Sequence, residues 1–524
     1  MRLIALLLAV ALAAPAASQP NLDDLFARWS SPSAPGCAVA VAKDGRTIID
    51  KAYGGADLEH GVANTPATIF EAGSVSKQFT AAAILLLVED GKLKLDDDVR
   101  QHVPELSPSL PRLTLDHLIN HTSGLRDWGS VMDLAGWPRG TRAYTPPDVL
   151  DIIARQQALN YPPGAEYSYT NSGYNLMALI VERVSGQTLA AFTAARLFAP
   201  MGMTNTSWRD DFRRVVPGRA IAYERDGETW TQAMPFEDAY GNGGLLTTTA
   251  DLLRWNDALT AGRLGAFVTS KLQERAHLTD GTPITYARGL FVDRWRNREQ
   301  VAHSGSTGGY RAWLGRLPDE KLSVALLCNA GDVSSTMLAH QVIDRMLGVP
   351  EEATLPPAPV NGGAGTFIAE TTHTPVTLID DAGTLRIKDG PSLAPLPNGR
   401  LRGRGGEVAF EGRDRFVLHT PEGNRVAYRR VAPWAPAAAD LAALAGRYRS
   451  DEADATYVAF VESGALKLRH DRRPGLIVTL APITADLFDA EGDGIVRVIR
   501  DGEKISALSF GVSRVRDLRL AKLP

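Results

Sequence analysis

Cysteine is nearly absent from this 524-residue sequence, and two residues are too few for a disulfide framework or a zinc cluster. Charge of one sign is also lacking. The 56 Lys and Arg nearly balance the 60 Asp and Glu, the net charge is −4, and no basic block stands out, which argues against a nucleic-acid partner. No apolar run reaches the about 20 residues a helix needs to cross a bilayer, so no stable membrane span is expected. There is no Gly-x-Ser-x-Gly elbow, no phosphate loop and no dinucleotide fingerprint, so no cofactor is implied. With 44% hydrophobic and 22% charged residues, the composition excludes a disordered chain and a coiled coil. What is there is length: more than one core can fill, so two or three domains are expected, in a protein that is an enzyme before any other class.

The first 18 residues read as a cleavable signal peptide. Arg2 supplies a positive start, Leu3 to Ala14 an apolar stretch too short to span, and Ala14 to Ser18 the small residues of a cleavage site. The protein is therefore expected to be exported, to a periplasm. Export makes Cys37 and Cys328 relevant, because both lie in β-rich runs (Cys37 to Val41 and Leu322 to Cys328). Neighbouring strands would allow a bridge, but buried free thiols are the leading expectation, since cysteine is among the most buried residue types.

Residues 36–55 read as a hairpin about the turn Lys43-Asp44-Gly45-Arg46. A helix is expected over 75–89, where Phe79, Ala82, Ala83, Leu86 and Leu87 keep helical spacing before Gly91. Further helices are expected at 115–121, 147–155, 174–184, 250–259 and 335–347, with strands at 313–317 and 322–328. Strands at both ends with helices between predict one α/β (α+β) domain, over 21–350, whose antiparallel sheet joins its termini. A Pro/Gly linker follows at 351–365. Beyond it, short alternating stretches predict two small all-β, barrel-like domains, over 366–432 and 437–524, the latter a lipocalin-like barrel.

The chemistry is concentrated in Glu71-Ala-Gly-Ser74-Val-Ser-Lys77. Ser74 and Lys77 are three residues apart where a helix begins, so ammonium and hydroxyl share a face, and the free N–H groups of a helix start favour developing negative charge. Alone, Ser-x-x-Lys reads as a helix cap followed by a solvated lysine. It is accompanied by Tyr167-Ser-Tyr169-Thr-Asn171 and by His303-Ser-Gly305-Ser306-Thr-Gly-Gly. In that order the three motifs resemble the serine β-lactamase and penicillin-binding-protein family, and within it the branch of class C β-lactamases, D-alanyl-D-alanine carboxypeptidases, family VIII esterases and D-aminopeptidases. The stretches 113–125, Gly241-Asn-Gly-Gly-Leu245, Thr249-Ala-Asp251 and 198–203 also match, and the resemblance covers roughly 30–345.

The resemblance implies Ser74 as the acylated nucleophile, Lys77 as the amine that activates it and Tyr169 as the carrier of the proton to the leaving group. The base is left open between Lys77 and Tyr169. Asn171 would orient Lys77 and substrate, and the backbone N–H groups of Ser74 and Ser306, beside Gly305, would form the oxyanion hole. At position 303 the family's β-lactamases and carboxypeptidases usually carry lysine. His303 offers a hydrogen bond rather than a fixed charge, which argues against efficient β-lactam hydrolysis. Trp128 and Trp137 are expected as pocket walls, while the turn Arg469–Pro474 reads first as a solvated charged turn, with the D-aminopeptidase resemblance implying the alternative of a loop of the last domain that reaches the cleft. His117 and His121 share a helical face, but Leu118 stands where a zincin has glutamate, so no metal site is expected. The expected function is an exported serine hydrolase acting on small esters, D-amino-acid amides or short peptides, with esters slightly ahead. The alternatives are a D-Ala-D-Ala carboxypeptidase or β-lactamase, and a non-turnover sensor of penicillins or cell-wall peptides.

Overall fold

The computed structural model describes residues 20–350 and 362–524, apart from 382, 397, 404, 493 and 513. The leader expected at 1–18 and most of the linker expected at 351–365 therefore lie outside the described residues. Among those described, no helix is long and apolar enough to cross a membrane.

An eight-stranded antiparallel sheet organises the first domain. Its order is Arg275–His277, Pro283–Ala287, Leu290–Trp295, Arg298–Thr307, Tyr310–Leu317, Leu322–Cys328, Cys37–Lys43, Arg46–Tyr53. The N-terminal hairpin thus joins the strands at 275–328. Residues 37–42 alternate β-branched or sulfur side chains with alanine, and that alternation separates two layers. Cys37, Val39 and Val41 pack with Leu338, Val342 and Ile343 of the helix Ser335–Leu347. Ala38, Ala40 and Ala42 face the larger helical layer, where their small size admits close packing. The helix Lys77–Glu89 runs through that layer with eleven of its thirteen residues buried, as a helix apolar all round requires.

Cys37 and Cys328 correct the free-thiol expectation. They are direct partners in the antiparallel register of the first and last of these strands, and they form a disulfide. Their separation of 291 residues in sequence concealed an adjacency that only strand pairing creates.

Beyond the linker, the strands from Gly365–Ala369 to Arg425–Arg430 form a second eight-stranded sheet. It curls around Phe367, Leu378, Leu385, Leu393, Leu401, Val408 and Phe416. The strands from Gly446–Ser450 to Val515–Lys522 close into a barrel. Both units dock on the first domain. Asn424 of the middle unit clasps Tyr167 with both ends of its amide, at 3.0 Å to the N–H and 2.7 Å to the carbonyl. The barrel's Glu452 pairs with buried Arg126 at 2.9 Å.

Candidate active site

Ser74 sits in the 3₁₀ turn Gly73–Ser76 that leads into the helix Lys77–Glu89, and Lys77 opens that helix. The strand Arg298–Thr307 passes against this turn, backbone to backbone. A Cβ on Gly305 would fall 2.0 Å from the Ala72 carbonyl oxygen and 3.0 Å from the Ser74 nitrogen. One on Gly73, whose φ is +49°, would fall 2.6 Å from the Ser306 nitrogen. Glycine at both positions is what lets the Ser74 and Ser306 amides stand close together.

Lys77 is wholly buried. Its Nζ donates to Ser74 Oγ at 3.2 Å, to Asn171 Oδ1 at 2.9 Å and to the Asn242 carbonyl at 2.6 Å. Burial pushes its pKa well below the ordinary lysine value, and the positive charge of Arg514 pushes in the same direction. Asn171 occupies the N-cap position of the helix Ser172–Ser185 but does not cap it. Its side chain is spent on Lys77 instead. Asn242, whose carbonyl completes the lysine's partners, is held through Oδ1 by Asn175 at 2.8 Å.

Tyr169 lies with its ring 4.8 Å from Lys77 Nζ. Its buried hydroxyl stands beside Ser74 without a well-formed hydrogen bond. Burial raises its pKa, and the nearby Ser74 hydroxyl and Arg514 only partly offset this. Lysine is thus shifted toward the free amine and tyrosine toward the phenol.

His303 is buried, and desolvation, with Lys77 nearby, takes its pKa down to about 3. Its tautomer follows from its partners. The Thr170 N–H donates to His121 Nδ1 at 3.2 Å, so the proton of His121 is on Nε2 and points at the Tyr286 hydroxyl at 3.1 Å. Tyr286 in turn faces His303 Nε2 at 3.4 Å, while His303 Nδ1 donates to the Ser304 carbonyl at 2.6 Å. Position 303 therefore carries a neutral imidazole, as its exchange for lysine implied. His121 was visible in the sequence only as one of two histidines on a helix; His117 instead accepts from the Thr114 N–H at 3.3 Å, so the two rings serve different places.

Of these groups, Ser74, Tyr169, Asn171, Asn242 and His303 line a cleft of about 600 Å³. Two expectations about its walls fail. Trp128 is fully buried, with its indole N–H on Asn175 Oδ1 at 2.9 Å and its ring against Tyr144. Trp137 is 40% exposed, and neither tryptophan lines the cleft. The stretch folds partly as the helix Trp128–Leu134, pinned by its own aromatics, while Arg139 with its ion-pair partner Glu237 reaches the cleft. Arg469–Pro474 does not line the cleft either: His470 packs against Gly136, and Arg472 donates to the Ala135 carbonyl at 3.3 Å. The residue of the last domain that enters is Arg514, from the turn between Lys504–Val512 and Val515–Lys522, 4.9 Å from the Tyr169 ring. Nothing in its sequence surroundings marked it.

The family model described as Beta-lactamase matches residues 22–344 of this chain. A D-aminopeptidase of Cereibacter sphaeroides is 28% identical over 508 residues, covering 93% of this chain and 96% of its own. A D-aminopeptidase of Brucella anthropi is 28% identical over 444 residues, covering 82% of each. Two solved structures share the fold. The octameric penicillin-binding protein homologue from Pyrococcus abyssi has a TM-score of 0.55 and 22% identity, over 84% of this chain and 95% of its own. The D-amino acid amidase from Ochrobactrum anthropi SV3 has a TM-score of 0.53 and 23% identity, over 62% and 96%.

Proposed function

The chain belongs to the beta-lactamase family, and from that premise we propose that it is an exported serine hydrolase that cleaves D-amino-acid amides or short D-peptides through an acyl-enzyme. The observation that carries the reading is the contact between the buried, deprotonation-prone Lys77 amine and Ser74 Oγ at 3.2 Å. In this reading Ser74 Oγ attacks the amide carbon as Lys77 takes its proton. The carbonyl oxygen becomes an oxyanion between the Ser74 and Ser306 N–H groups. Tyr169, held as the phenol, gives its proton to the leaving nitrogen and recovers one from the Lys77 ammonium. The C–N bond breaks and the amine departs. Water then attacks the ester carbon, Lys77 taking its proton and returning it to Ser74 Oγ as the C–O bond breaks, so the acid departs and Ser74 and the free amine are restored.

The opposite pKa displacements favour Lys77 over Tyr169 as the resting base. D-aminopeptidases that match over nearly the whole chain move amides ahead of esters, and the neutral His303 keeps β-lactams and D-Ala-D-Ala carboxypeptidase substrates behind both. Export is supported by the leader-like residues 1–18 and by the Cys37–Cys328 disulfide, a bond that persists in oxidising compartments.

Turnover of D-Ala-p-nitroanilide, its L-isomer, p-nitrophenyl butyrate and nitrocefin, each with Ser74→Ala as control, tests the reading. The D-anilide is expected to give the highest kcat/KM among the four, and Ser74→Ala to lower it by about 10⁴-fold or more. Nitrocefin as the best substrate, or activity that survives Ser74→Ala, overturns it. One product equivalent with no steady state on all four substrates supports the sensor instead.

A further inference from the structure

Arg514 is a built part of the cleft. Its carbonyl accepts from Asn160 Nδ2 at 3.0 Å and from the Asp127 N–H at 3.3 Å. Two residues on, the Arg516 N–H donates to Asn160 Oδ1 at 2.7 Å, so one amide side chain spans Arg514 and Arg516 where the chain enters the strand Val515–Lys522. Arg126, buried beneath, donates to the Arg516 carbonyl through Nε at 3.1 Å and Nη2 at 3.0 Å. With the backbone fixed, the guanidinium is placed over Tyr169 and 3.7 Å from Asp127 Oδ2. Asp127 also accepts the N–H groups of Gly129, Ser130 and Asn171, so its oxygens are shared between that helix start and the guanidinium, which stays partly exposed.

The rest of the cleft has the same sign. Arg311 lines it, its guanidinium donating to the carbonyls of Gly308 and Tyr310 and lying 4.0 Å from Glu224, which does not itself line the cleft. Ser334, Ser335 and Thr336, at the N-terminus of the 13-residue helix Ser335–Leu347, line it too, and the free N–H groups of that helix start add partial positive charge. Among the described lining residues the one carboxylate is Glu237, which Arg139 and Arg209 share between them. Such a wall favours a substrate that brings an anion over an otherwise matched one that does not.

We propose that Arg514 recognises a carboxylate on the substrate, so that the C-terminal barrel supplies the cation that position 303 lacks. The substrates are D-amino-acid amides or short D-peptides carrying a carboxylate near the scissile bond, on a side chain or at the C-terminus. The inference rests on the amide-hydrolase reading of the same site.

Two matched pairs separate the sources of the carboxylate: D-Glu-p-nitroanilide against D-Gln-p-nitroanilide, and D-Ala-D-Ala against its C-terminal amide. In the wild-type enzyme the anionic member of at least one pair should lead by about tenfold in kcat/KM, the size of one charged hydrogen bond. Arg514→Gln should reduce that ratio to about threefold or less, chiefly through KM. Anchoring through the backbone leaves the turn in place in this variant, which an unchanged Tm confirms. Ratios near one in both pairs, or a preference that survives Arg514→Gln, overturn the proposal. A readout without turnover keeps it separate from the amidase reading: protection of Ser74 from a fluorophosphonate by D-Glu against D-Gln, and by N-acetyl-D-Ala against its amide. Equal protection within both pairs overturns carboxylate recognition even if no amide is cleaved. A difference that Arg514→Gln erases supports it even then, and the amidase reading alone fails.

Discussion

The two sides of the cleft differ in kind. On one side Lys77, Tyr169 and His303 are buried titratable groups, each shifted by desolvation toward its neutral form. The other is a set of guanidinium groups, Arg139, Arg311 and Arg514, partnered by Glu237, Glu224 and Asp127, and it meets the first where Arg514 lies over Tyr169. A side built to move a proton gains from being dry, because removing water brings a lysine's pKa toward the working pH. A side built to choose a substrate gains from fixed charge. The first side is made wholly by the N-terminal domain. The second takes Arg514 from the barrel, so the C-terminal third contributes to a cleft whose candidate reacting groups lie elsewhere.

With Ser74 kept, the largest expected effect comes from removing the proposed base. Lys77→Met should lower kcat/KM for a D-anilide by about 10²–10⁴-fold, the worth of a positioned general base. Because the amine is buried against its preference, the Tm should hold or rise, as happens when a strained functional group is replaced. The wild-type pH profile should show an acid limb as Lys77 protonates, at a pH well below 10.5. A limb near 10.5 would mean that the lysine is hydrated and that the two sides do not differ.

Breaking the Cys37–Cys328 staple acts on the sheet beneath both sides. Replacing both cysteines by alanine should lower the unfolding free energy by about 2–5 kcal/mol, read from denaturant melts. Unchanged stability, or two free thiols titrated in the denatured wild-type protein, would remove the bond.

Asn160→Ala should affect only the charged side. It removes two hydrogen bonds that hold the Arg514 turn, each contributing about 1 kcal/mol. The KM for the preferred substrate should rise several-fold while the rate of Ser74 labelling by a neutral fluorophosphonate holds. Slower labelling would show that the barrel supports the chemistry as well.

The smallest effect is expected from acid on His303. Its folded pKa of about 3 lies below the ordinary 6.5, so the unfolded chain binds a proton that the folded chain refuses. Stability should therefore fall as pH drops from about 6.5 toward 3, with no break in kcat/KM near 6.5 from this ring. A break there that His303→Gln removes would show an accessible, titrating imidazole.

Much of this was legible in one dimension. Three short motifs located Ser74, Lys77, Tyr169, Asn171 and His303, because spacing along a helix and glycine beside a strand are local properties. The helix Ser335–Leu347 falls where its periodicity puts it. The helix Lys77–Glu89 starts two residues later than expected, since Gly73–Ser76 forms a tighter turn first. Trp128 misled because an aromatic side chain serves a wall and a core equally well, and only packing chooses between them.

The sequence by itself determined the candidate reacting groups, the family and the alternation of layers in the sheet, each encoded by residues a few positions apart. Tertiary structure alone decided the disulfide, the His121–Tyr286–His303 chain and the arrival of Arg514 beside Tyr169. Each of these joins side chains from distant parts of the chain, and which distant residues meet depends on strand register and domain docking rather than on any local pattern. The charges of the buried side were decided there too, because a lysine becomes a base only where the fold excludes water.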